Sequence, residues 1–173
     1  MSALVVYESM WGNTRAVAEA IARGLGPDAE VVDVARAPHV STDVDLLVVG
    51  GPTHAFSMSR GSTRHDAAQR GAPTSEESPG IREWLAGLES PRPQLAVATF
   101  DTRVAKVRRL PGSAARAAAK EVRRRRLGQL VGTESFYVDD MAGPLLDGEL
   151  ERAKAWGEQL RRAHAARRGK RAV

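Results

Sequence analysis

Six consecutive residues near the amino terminus, Ser9-Met10-Trp11-Gly12-Asn13-Thr14, have the makings of an anion cradle. They follow an apolar run, Ala3–Tyr7, and precede Val17, Ala20, Ile21 and Leu25 at helical spacing. A helix start presents amides without intrahelical acceptors and about half a positive charge. Gly12 permits a tight turn, and Ser9, Asn13 and Thr14 add side-chain donors. Phosphate is the natural guest of such a site. The loop holds no lysine and lacks the Gly-Lys-Ser/Thr ending of a triphosphate loop. That composition suits a monophosphate held by neutral donors. The same residues would equally serve as a capped helix start that binds nothing.

Two further loops are rich in turn-forming and polar residues. The first runs Gly50-Gly51-Pro52-Thr53-His54-Ala55-Phe56 and follows the apolar run Asp45–Gly50. Its glycines allow close backbone approach and its proline fixes a rigid turn. The second is Thr99-Phe100-Asp101-Thr102-Arg103, after the apolar run that begins at Leu95. His54 is the one histidine placed where a proton donor would be useful, since an unperturbed imidazole titrates near neutrality. His39, His65 and His164 are assigned to surface or loop positions. The chain has no cysteine, so disulfides and thiolate chemistry are excluded. No Ser-His-Asp spacing and no metal-ligand cluster is found. No catalytic residue and no metal ligand is therefore assigned.

These loops need elements to hold them. Ala3–Tyr7 is a continuous β-branched run, as expected of a strand buried on both faces. Asn13 or Thr14 is expected to cap the helix that follows, and Gly26-Pro27 to stop it. Glu30–Val34 and Asp45–Gly50 read as the next strands. Gly51–Ser78 shows no sustained periodicity and reads as a long functional loop. Ser78-Pro79 offers a helix start, and Ile81, Trp84, Leu85 and Leu88 form its apolar stripe. Pro91 and Pro93 precede a strand over Leu95–Phe100. Ser113 caps a helix with Ala115, Ala118, Ala119 and Val122 inward, closed at Gly128. Ser135–Val138 reads as the last strand, and Leu150, Ala153, Gly157 and Leu160 line the last helix.

Alternating strands and helices imply a parallel sheet covered on both faces. Right-handed crossovers leave few arrangements. The expectation is a doubly wound, five-stranded, three-layer α/β sandwich of strand order 2-1-3-4-5. Ligands of such sheets bind beyond the carboxyl ends of strands one and three, where the winding reverses. Residues 1–160 are read as one domain and 161–173 as a basic tail with six Arg or Lys and no acid. The net charge of +5 is thus concentrated in that tail, and the body is close to neutral. No aromatics are interleaved with the arginines, so a nucleic-acid partner is not expected. No apolar run approaches a membrane span. The chain opens directly on an apolar strand, with no basic leader, and a cytoplasmic location is expected.

The loop Ser9–Thr14 resembles that of the flavodoxin family, which reads Ser/Thr-x-Thr-Gly-x-Thr after the first strand. Ser9, Gly12 and Thr14 match, whereas Trp11 stands where the family has a small hydroxyl residue. Gly50–Phe56 is similar to the family's Gly-x-Pro-Thr turn. The resemblance, over about residues 3–160, implies an FMN-binding electron-transfer protein. It implies a phosphate site at Ser9, Met10, Trp11, Gly12, Asn13 and Thr14. It also implies ring contacts from Pro52, Thr53, His54, Ala55 and Phe56, and from Thr99, Phe100, Asp101, Thr102 and Arg103. His54 or Phe56 would stack on the ring, and the polar groups of the third loop would meet its pyrimidine edge. The tyrosine often stacked there in flavodoxins is absent, and Tyr7 and Tyr137 read as core. Electrons would pass to a redox partner protein or a small-molecule donor or acceptor. Two alternatives stand beside this reading. One is a flavin-dependent NAD(P)H or quinone oxidoreductase of the same fold, with Gly51–Ser78 as a substrate wall and Arg60, Arg64 and Arg70 facing an anionic substrate. The other is a cofactor-free binding module.

Overall fold

The computed structural model describes residues 1–37, 40–73, 79–89 and 92–171. Its strands are β1 (Ala3–Tyr7), β2 (Ala29–Asp33), β3 (Leu46–Pro52), β4 (Ala96–Val104) and β5 (Gln129–Val138). Its helices are α1 (Asn13–Leu25), α2 (Gly61–Gln69), α3 (Ile81–Gly87), α4 (Ala114–Arg125) and α5 (Glu149–Arg171). The strands form one parallel sheet in the order β2-β1-β3-β4-β5. This is the expected doubly wound arrangement, with the winding reversed between β1 and β3.

Side-chain alternation along the strands divides the core into two layers. Ala3, Val5, Tyr7, Leu46, Val48, Ala98 and Phe100 pack on one face with α1 and α5. Leu4, Val6, Leu47, Val49 and Val97 pack on the other with α3 and α4. Every residue of β1 is buried, which is why that strand reads as unbroken apolar sequence. Burying each Val or Leu of these runs contributes about 1.5–3 kcal/mol before chain entropy is charged against it.

Several boundaries differ from those read along the chain. β2 starts and ends one residue early, because Asp33 turns the backbone by accepting from the Ala35 amide at 2.9 Å. Gly12, not Asn13 or Thr14, is the residue that caps α1. The last strands are longer than the sequence suggested. β4 continues to Val104 because β5, from Gln129 onward, supplies ladder partners as far as Val138. The helix expected to start at Ser78-Pro79 has Gly80 as its cap. The Glu83 carboxylate reaches back to the Gly80 amide at 2.8 Å and sets that start. Ser113 does cap α4, accepting from the Arg116 amide at 3.3 Å. α4 closes at Arg126, in a left-handed conformation, ahead of Gly128. α4 ends in the run Arg123–Arg126. Arg125 donates to the Leu85 and Leu88 carbonyls at 2.6 and 2.9 Å and ties α4 to the end of α3. Expectations for His39, Ser78 and Pro91 lie outside the described residues. Within the stretch read as a loop there is a helix, α2, whose inward residues are Arg64 and Ala67.

α1 and α5 cross closely enough that two glycines matter. A Cβ at Gly157 would run into the Ile21 carbonyl oxygen, and one at Gly24 into that of Lys154. Gly157→Ala should lower unfolding stability in urea by about 1–3 kcal/mol, the cost of overpacking. The control Gly87→Ala, where a Cβ meets nothing within 4 Å, should leave stability the same or higher. Equal stability of the two variants would mean the helices can separate without cost.

Candidate functional site

The loop from β1 to α1 is shaped by its own side chains. Gly12 has φ 89°, a conformation other residues adopt only with strain. Ser9 Oγ accepts from the Gly12 and Arg15 amides at 3.1 and 3.3 Å. Both bonds use the oxygen, so the hydroxyl proton is left to donate. The Asn13 and Thr14 amides head the helix without intrahelical acceptors. Their side chains look elsewhere. Asn13 Nδ2 donates to the Ala142 carbonyl at 3.0 Å, and the Thr14 hydroxyl meets that of Thr102 at 2.7 Å. Met10 is buried, packed with Ala67 and Ala72 beneath Trp11. α2 is thereby fastened to this loop.

After β3 the chain reverses over two residues. His54 and Ser57 exchange backbone hydrogen bonds of 2.9 and 3.0 Å, while Ala55 and Phe56 take φ of 45° and 61°. Such left-handed geometry in residues with a Cβ costs roughly 1–2 kcal/mol each, and it presents Phe56 at 47% exposure on the rim. His54 lies against the cleft, and its burial pulls the imidazole pKa below the ordinary value. At neutral pH it is therefore the uncharged ring that faces the cleft, which weakens its case as a standing proton donor.

The third loop divides by position along β4. Thr102 and Arg103 line the cleft, with Val104 and Val107 beyond them. Thr99, Phe100 and Asp101 do not. Thr99 pairs with the Thr133 hydroxyl at 3.1 Å, and Phe100 lies in the core edge-on to Phe136. Asp101 is fully buried; its Oδ2 accepts from the Thr53 hydroxyl at 3.1 Å and the Ala115 amide at 2.8 Å. It holds the start of α4. Thr99, Phe100 and Asp101 pair with β3, opposite Val49, Gly50 and Gly51, so their side chains meet the sheet's neighbours. Thr102, by contrast, stands opposite Pro52, where β3 ends and the cleft begins.

Together these segments enclose a cleft of about 210 Å³ at the carboxyl ends of β3 and β4. Met10, Trp11, Asn13 and Thr14 form one wall, Pro52 to Phe56 a second, and Thr102 and Arg103 a third. Ser9 and Gly12 do not line this cleft; Ser9 lines a neighbouring cavity with Glu8 and Arg15. Val138 and Met141 complete the lining, and neither was legible in the sequence, since both come from the far end of the chain. Arg103 is buried, donates from Nη2 to the Val107 and Leu110 carbonyls at 2.8 and 3.2 Å, and leaves Nε without a partner.

Residues 5–77 match the family model for flavodoxin. The fold is flavodoxin-like. An archaeal flavodoxin superposes with a TM-score of 0.60 at 20% identity, covering 95% of this chain and 99% of its own. Oxidised flavodoxin 1 from Bacillus cereus gives 0.57 at 17%, covering 90% and 93%. A flavone reductase gives 0.57 at 13%, covering 95% of this chain and 63% of its own. No curated protein matches the chain. At these identities the structures speak for the fold. Among the described residues, no helix is long and apolar enough to cross a membrane, and no cluster could hold a metal ion.

Behind the cleft, Glu8 ends β1 as a buried carboxylate. Ser59 Oγ donates to Oε1 at 2.5 Å and the Ile81 amide to Oε2 at 3.0 Å. Arg64 donates to Ser59 at 3.0 Å and pairs with Glu83 at 3.3 Å. Arg64 is thus internal to the fold, unlike the substrate-facing role its sequence position suggested. Loss of water around Glu8 raises its pKa above the ordinary glutamate value, outweighing the two donors and the nearby Arg64. The folded state therefore holds this proton more tightly than the unfolded chain does. The resulting stability is complete below the unfolded pKa, about 4, and is lost as pH rises through the raised folded value. Glu8→Gln cannot ionise. The wild type's stability relative to Glu8→Gln should fall from about pH 4 until the raised folded pKa is passed, then level off, in urea titrations. A difference independent of pH would show that the Glu8 carboxyl titrates alike in the folded and unfolded chain.

Proposed function

We propose that the chain binds FMN in this cleft and exchanges electrons with a redox partner. The observation that carries the reading is the meeting of a capped but unfilled helix start, an apolar-walled cleft and the orphaned Arg103 Nε at the reversal of the winding. These residues fit the group. The Asn13 and Thr14 amides and the Ser9 hydroxyl would hold the phosphate without a lysine. Pro52, Thr53, Ala55 and Phe56 would bound the ring, and Arg103 would bring positive charge and a donor to its edge. Bound FMN supplies the electron chemistry, and the protein sets its potential by burial and hydrogen bonding. A soluble, cytoplasmic setting accords with this role. Binding is assigned to residues 1–160, with the basic stretch 161–173 dispensable.

α2 favours a second reading, a flavin-dependent oxidoreductase acting on a small molecule. It stands beside the cleft as a wall, as a shuttle that hands electrons to a protein would not need.

An FMN titration followed by absorbance and fluorescence should show one site per chain. Gly12→Asp, which sets a carboxylate over the cradle, should weaken it at least tenfold, and Thr14→Ala should weaken it less. Deleting residues 161–173 should change nothing. A chain that binds no FMN overturns the proposal and leaves a cofactor-free binding module.

A further inference from the structure

A second cavity, of about 180 Å³, opens beside the first between the Ser9–Thr14 loop and α2. Trp11, His54 and Met141 line both cavities, so the two are neighbours across shared side chains. Ala67, Asp66 and Arg70 of the α2 segment form the remaining wall. We infer that this groove binds a small flat aromatic anion carrying a hydrogen-bond donor, held against Trp11 by its ring and at Arg70 by its acidic group.

The shape follows from the apolar part of the lining. An indole, an imidazole, a methyl group and a thioether suit a flat ring, through stacking and sulfur–aromatic contact. Burial keeps His54 neutral, so it adds no charge there. The charge follows from Arg70. Among the described residues its exposed guanidinium meets the Met141 sulfur, at 3.8 Å, a poor acceptor for a cation. Among the described residues no ion pair joins it to a carboxylate. A carboxylate or sulfonate would satisfy it with paired, charge-assisted bonds. Asp66, one turn earlier on the same wall, offers the opposite demand, for a ligand O–H or N–H. Thr63 also lines the groove, but its hydroxyl is committed to the Arg60 backbone amide and carbonyl, both at 2.9 Å. Trp11 thus gains a purpose at the position where the family pattern has a small residue. The inference rests on the FMN reading for its functional consequence, a substrate site beside the flavin, but not for its test.

Calorimetry with 6-hydroxy-2-naphthoate, on the full chain with and without saturating FMN, provides that test. One molecule should bind in both conditions. Arg70→Ala should weaken binding at least tenfold, while Arg70→Lys should recover part of the loss. Asp66→Asn should lessen the advantage of the hydroxylated acid over plain 2-naphthoate. Arg70→Ala should keep its FMN affinity, which shows that the variant is folded. Undiminished binding in Arg70→Ala, or one-for-one displacement by FMN, would place the aromatic acid elsewhere and overturn the inference. No binding to the wild type would do the same. If FMN fails to bind but the Arg70-dependent site persists, the flavin reading falls and this one stands.

Discussion

A carboxylate removed from water must find donors inside the protein or cost several kcal/mol. Glu8 meets that demand with two groups that are distant in sequence, the Ser59 hydroxyl and the Ile81 amide. The end of β1, the start of the α2 insertion and the start of α3 are thereby drawn to one point. Gly80 is required there, because a Cβ would come within 2.8 Å of both Glu8 Oε2 and Ser59 Oγ. Arg64, bonded to Ser59 and Glu83, closes the cluster. Once these groups are fixed, α2 has a set place, and the loop ahead of α1 has a wall to pack against.

The candidate site inherits its form from that arrangement. Met10 and Trp11 lean on Ala67 and Ala72, so the cradle loop is braced by the insertion rather than left open to solvent. On the other side, Asp101 and Thr53 fasten the start of α4 to the end of β4. The Thr14–Thr102 contact joins the two halves across the reversal of the winding. The polar residues nearest the cleft are therefore mostly structural. Arg103 differs, because its position against the cleft leaves one buried donor unanswered.

The far end of the chain contributes more than cover. Arg152 on α5 bonds to Glu134, Glu149 and the Ser135 carbonyl, and its guanidinium lies 4.5 Å from the centre of the Phe136 ring. This holds the start of α5 to β5. The intervening segment is thereby placed so that Met141 reaches the cleft and Ala142 accepts from Asn13. Close packing of α5 on α1, permitted by Gly24 and Gly157, holds the other end.

The sequence alone determined whatever depends on local pattern. The doubly buried runs of β1 and β3, the Ser113 cap, the glycine-bearing loop after β1 and the 2-1-3-4-5 order were all readable, because periodicity and turn chemistry act over a few residues. Tertiary structure decided the rest. α2 was hidden because a charged residue, Arg64, is its buried anchor, and Ser59 and Glu83, from outside the helix, help make that burial tolerable. Asp101 was read as lying beyond the strand because β4 extends past Phe100 only where β5 lies beside it. Val138, Met141 and the partner of Asn13 were invisible for the same reason. Which side chains converge is set by pairings between distant segments, and one-dimensional pattern carries no record of them.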